Sequence, residues 1–116
     1  MTAPTLSMRF QRGRAPVSRL QSIAQEIISE LADPTSAASA DAERAGLARA
    51  DLLSARVEVT EPEQGAEPFL TPIIIGIAIA AGSKVAETLW TDVIWPRIRR
   101  RLGVDAIGRP IPPDER

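Results

Sequence analysis

Apolar residues recur at helical spacing early in the chain: Val17, Leu20, Ile23, Ala24, Ile27, Ile28 and Leu31 form one stripe, with Ser18, Arg19, Gln21, Gln25 and Glu26 opposite it. This predicts an amphipathic helix from Pro16 to Ala32. Pro16 suits a first helical turn, where no N–H is needed, and Asp33-Pro34 ends the helix. After a small, polar stretch at 35–40, Ala42, Ala45, Leu47, Ala48, Leu52 and Leu53 predict a second, alanine-rich helix over 41–53, which Gly46 weakens by about 1 kcal/mol relative to alanine. The period then changes to two. Ala55, Val57 and Val59 alternate with Arg56, Glu58 and Thr60, the pattern of a half-exposed strand. A lone strand cannot satisfy its backbone, so this one needs a partner: residues 73–79, or the same strand in a second copy. Residues 61–68 read as an acidic, proline-bearing loop.

Residues 68–83, PFLTPIIIGIAIAAGS, carry no charge. They hold Phe69, Leu70, Ile73, Ile74, Ile75, Ile77 and Ile79, interleaved with Gly76, Ala78, Ala80, Ala81 and Gly82. Periodicity does not separate strand from helix over 73–79. As a helix the run is apolar all round and must lie in protein or lipid. From Lys84 the pattern is amphipathic: Val85, Ala86, Leu89, Trp90, Val93 and Ile94 on one side, Lys84, Glu87, Thr88, Thr91 and Asp92 on the other. Ile98 and Leu102 extend the apolar rows past Pro96, which kinks the helix or opens a new turn, and Gly103 stops it. The expected fold class is therefore mainly α. It comprises an amphipathic N-terminal helix, an alanine-rich second helix, one short strand and a long C-terminal helix, hydrophobic then amphipathic, kinked near Pro96. The domain spans 15–103, between a flexible basic tail at 1–14 and an irregular proline-rich tail at 104–116.

As a membrane span the uncharged run reaches about 24 Å as a helix, short of the roughly 30 Å hydrocarbon core. Extension to Trp90 brings in Lys84 and Glu87, and one central charge offsets the roughly 2–4 kcal/mol that the large apolar residues contribute. Insertion is marginal. Interfacial tryptophans at Trp90 and Trp95, then Arg97, Arg99, Arg100 and Arg101, favour a membrane-bound segment with a cytoplasmic C-terminus. Gly76 with Ala80, and Ala78 with Gly82, are small pairs that let helices approach closely. The same features also fit a soluble domain that buries its isoleucines beneath the first helix, with the arginines at a solvated helix end.

Charge falls in blocks. Residues 1–20 hold four arginines and no acid, residues 21–83 are strongly acidic, and residues 84–116 are slightly basic, for a net charge of −1. No apolar run follows the first arginines, so no cleavable signal peptide is expected. With four aromatic residues in all, stacking platforms for nucleic acid are nearly missing, and a nucleic-acid partner is not favoured.

Cysteine, histidine and tyrosine are all absent, which removes disulfides, thiolate chemistry, the usual general base and the commonest metal ligand. Ser83 and Lys84 are adjacent and diverge on a helix, and the residue three before Lys84 is Ala81, so no serine–lysine dyad forms. The carboxylate pairs Glu26 with Glu30, Asp41 with Glu43 and Glu61 with Glu63 read as solvated charge, and the glycines fit no phosphate-binding pattern. No enzyme, cofactor, metal site or small-molecule substrate is expected. The leading expectation is a small oligomeric protein that inserts or anchors in a membrane through residues 69–90, as a pore or scaffold. The alternative is a soluble helical interaction module or adaptor, cytoplasmic, that buries the same segment in its core or in a homodimer interface.

Overall fold

The computed structural model describes residues 5–61 and 72–111. Strand β1 (Leu6–Arg12) leads into helix α1 (Val17–Ala32), followed by α2 (Ala37–Arg44), α3 (Arg49–Ser54), β2 (Arg56–Thr60) and β3 (Ile73–Ala78). Helix α4 (Ser83–Leu89), a π-helical turn (Trp90–Ile94), α5 (Trp95–Leu102) and β4 (Ile107–Pro110) complete the order. The strands form one antiparallel sheet in the order β2-β3-β1-β4.

Strand β3 organises the molecule. Ile73, Ile75 and Ile77 are buried, whereas Ile74, Gly76 and Ala78 point the other way and are half-buried. In register beside them, Met8, Phe10, Val57 and Val59 lie on the Ile75 face. That face is covered by the stripe of α1 (Leu20, Ile23, Ala24, Ile27, Leu31) and by Ala86, Leu89, Trp90, Val93, Ile94 and Ile98 from the C-terminal helices. The result is a two-layer α/β fold, helices on one face of a sheet.

The expected mainly α fold with one strand is therefore corrected: four antiparallel strands form one sheet. Residues 73–78 form a strand, because isoleucine stiff at χ1 fits a pleated surface and partners on both sides satisfy the backbone. The long helix expected from 69 to 102 begins only at Ser83, and Phe69 and Leu70 lie outside the described residues. Among the described residues no helix is long and apolar enough to cross a membrane. β2 finds its partner within the chain, in β3. Of the two segments read as tails, 6–12 is an inner strand and 107–110 an edge strand, and the second expected helix divides into α2 and α3.

At Pro96 the helix passes through rather than stopping. The proline has no N–H to give to the carbonyl four residues back, and just before it the Trp95 N–H bonds to the Trp90 carbonyl, a π-type closure. Gly103, at φ 105°, ends α5 in a conformation L side chains rarely adopt. Gly108 is required by proximity, since a Cβ there would lie 2.6 Å from the Gln11 carbonyl oxygen.

Candidate functional site

The face of the sheet turned away from the helices is arranged in rows by the strand register. Thr60, Ile74 and Arg9 share one row, Glu58, Gly76 and Ser7 the next, and Arg56 with Ala78 the third. Ile74, Gly76 and Ala78 make a half-buried apolar ridge along β3, small at Gly76 and Ala78, while Arg9, Arg56 and Glu58 stand exposed beside it. A groove of about 460 Å³ runs from the outer edge of β2 onto this ridge, with Arg56, Glu58, Gly76 and Ala78 on the face and Gln21 and Gln25 at the edge.

Those glutamines come from the polar side of α1. The Gln21 carboxamide accepts from the Val59 N–H at 2.5 Å and donates to the Val57 carbonyl at 3.3 Å; Gln25 donates to the same carbonyl at 3.4 Å. One side-chain amide thus stands in for a peptide group of a neighbouring strand and occupies part of the edge. Further along, Thr5 extends the β1–β3 ladder: its hydroxyl donates to the Ile79 carbonyl and accepts from the Ile79 N–H, each at 3.0 Å.

The arginines expected at a membrane interface are dispersed over the helical layer. Arg97 is 5% exposed; it donates to an Asp41 carboxylate oxygen at 2.7 Å and more weakly to the Val93 carbonyl. Arg44 also pairs with Asp41. Hydrogen bonding from Arg97 holds the Asp41 carboxyl below its usual range, against a smaller opposing effect of burial. Arg99, Arg100 and Arg101 are all exposed, and Arg101 reaches Glu26 and Glu30 on α1. Trp90 is buried between Phe10, 5.7 Å away between ring centres, and a half-buried Trp95 stacked on it at 6.1 Å. Lys84, Glu87, Thr91 and Asp92 are exposed and Thr88 half-buried, so this polar side faces away from the buried isoleucines.

Ser39 and Arg49 carry structure that periodicity does not register. Arg49 donates to the carbonyls of Leu31 at 3.0 Å and Ala32 at 2.6 Å, and the buried Ser39 hydroxyl lies within hydrogen-bond range of the Leu31 and Asp33 carbonyls. Together with Ser36, which donates to the Glu30 carbonyl at 2.6 Å, they satisfy the C-terminus of α1. The Thr35 N–H and hydroxyl both donate to Asp33, lowering its carboxyl from the usual value.

Among the described residues no group of acids is clustered tightly enough to hold a metal ion. Gly76 and Ala78 thus leave a ridge of small residues beside Ile74, with charges of both signs at its rim. No protein-family model matches this chain, and neither a curated protein nor a solved structure proves significantly similar to it.

Proposed function

We propose that the chain is a non-enzymatic protein–protein interaction module whose docking surface is the sheet face turned away from the described helices. The observation that carries this reading is the half-buried ridge of Ile74, Gly76 and Ala78, bordered by Arg9, Arg56 and Glu58. Small residues let a partner's backbone or side chains come close, and flanking charges of both signs set its orientation. The absence of histidine, cysteine and tyrosine from the sequence is in keeping with binding rather than catalysis. This reading is preferred to membrane insertion because Ile73, Ile75 and Ile77, which would drive insertion, are already withdrawn from water beneath the helices.

A photoreactive side chain at Ile74, compared with one at Asp92 on the helical layer, tests the proposal in cells. The expected result is a defined polypeptide adduct from position 74, identified by mass, with none from position 92. Adducts confined to the chain's own residues 62–71, adducts to lipid, or equal yields from both positions would overturn it.

A further inference from the structure

We infer that the outer edge of β2 takes an extended segment of a partner protein as a fifth strand, with an acidic side chain opposite Arg56 and a basic one opposite Glu58. The edge can be occupied whether or not the open face of the sheet is.

Backbone groups fix the geometry. In an antiparallel ladder a residue turns its N–H and its carbonyl to the same side. The Val57 carbonyl and the Val59 N–H meet side chains of α1 rather than β3, so both residues face outward. Among the described residues nothing bonds to the Val57 N–H or the Val59 carbonyl. The cover already in place is partial. Gln21 and Gln25 share the Val57 carbonyl at 3.3 and 3.4 Å, long beside the roughly 2.9 Å of a good N–H···O bond, and only the Val59 N–H is closely held, at 2.5 Å. Gln25 is exposed and Gln21 half-buried, so both carboxamides can turn to water when a strand arrives. An added strand replaces the long bonds with ladder bonds and also serves the two open groups.

Charge names the segment. Arg56 bends along the edge, donating to the Ala55 carbonyl at 2.8 Å, and Glu58 stands exposed on the same face two residues on. Beside them β3 presents Ala78 and Gly76, so neither charge has a cross-strand partner on that side, and the groove opens along this line. An acid opposite Arg56 and a base opposite Glu58 supply the missing pairs. The residues between and around them pass beneath Gln21 and Gln25, which calls for small, polar side chains. A second copy's own β2 does not fit. Helix α1 packs over β2, and strands paired about 4.8 Å apart would bring two copies of α1 closer than the roughly 8–10 Å that packed helices keep.

Titration of the full chain with acetyl-Thr-Lys-Thr-Glu-Thr-amide, followed by NMR, tests this against peptides carrying Lys-Thr-Lys or Glu-Thr-Glu at the same positions. The mixed peptide is expected to bind with a dissociation constant on the order of a millimolar, at least about threefold more tightly than either control whichever way it runs, and to slow exchange of the Val57 amide. Arg56→Glu makes both edge charges acidic, and the Lys-Thr-Lys peptide then becomes the preferred one. Gln21→Ala removes a competing cap and tightens binding severalfold. Circular dichroism verifies that both variants fold. An unaltered Val57 amide at about 10 mM mixed peptide, equal binding of the three peptides, or an order of preference unchanged in Arg56→Glu would overturn the inference. Shifts confined to Ser7, Arg9 and Ile74 would put the peptide on the open face and overturn the edge site alone. Protection of Val57 that grows with chain concentration, without peptide, would make the occupant a second copy and overturn the assignment to a partner protein.

Discussion

A guanidinium as deeply buried as that of Arg97 depends on its carboxylate partner. Asp41 supplies that charge from α2, while Arg97 belongs to α5, so one ion pair ties the second helix to the last. Removing the acid leaves a buried cation with only the Val93 carbonyl for company, and Asp41→Ala is expected to destabilise the fold by about 2–3 kcal/mol. Arg44→Ala, which removes an exposed partner of the same acid, is expected to cost less than about 1 kcal/mol, and urea denaturation distinguishes the two. The pH dependence follows with a definite sign. Asp41 has a folded-state pKa below its ordinary value of 3.8, so its contribution is present above that value and is lost as pH falls through the lower, folded value. Acid titration of Asp41→Asn should therefore show a shallower loss of stability below about pH 4 than the original chain. Neither Arg97 nor Ser39 was legible in this role from the sequence. Their partners lie 56 residues away in one case and belong to the irregular end of α1 in the other, and periodicity carries no information about either.

Among the elements, β2 shows what pattern reading captures and what it leaves out. Strict alternation over 55–60 marks a strand with one wet side, and its need for a neighbour follows from backbone hydrogen bonding alone. Which neighbour it takes depends on the helix-or-strand state of residues 73–79, where isoleucine on both parities hides the period. The stripe of α1 is read directly from spacing, but its polar side has a second task. Gln21 and Gln25 look like solvated helix residues, yet they fill hydrogen-bonding positions on the outer edge of β2. Gln21→Ala is expected to cost about 1 kcal/mol, to reduce the hydrogen-exchange protection of the Val59 amide, and to raise concentration-dependent aggregation through the uncovered edge. Exchange followed by NMR reads the first effect locally, and light scattering reads the last. Unchanged protection at Val59 would mean that the carboxamide adds nothing to the strand.

At the scale of the whole molecule, the uncharged isoleucine segment is both the centre of the core and the floor of the proposed docking surface, because a strand sends successive side chains to opposite faces. Ile75 is fully buried at the middle of β3 and Ile74, its neighbour, faces the helix-free side. Ile75→Asp places an unpaired carboxylate beneath the helices and should destabilise the chain by about 4 kcal/mol or more, most of the margin available to a domain of this size. Ile74→Asp changes a position from which a side chain can reach water, and it should alter stability by less than about 1 kcal/mol while weakening docking at that face. Thermal unfolding of the two variants side by side measures the difference. Adjacent residues in an all-round buried helix would both be severe, and on a strand exposed on both faces both would be mild. A large gap between positions 74 and 75 is therefore the signature of a central strand with one covered face, and comparable losses at the two would refute the two-layer arrangement on which the docking surface depends.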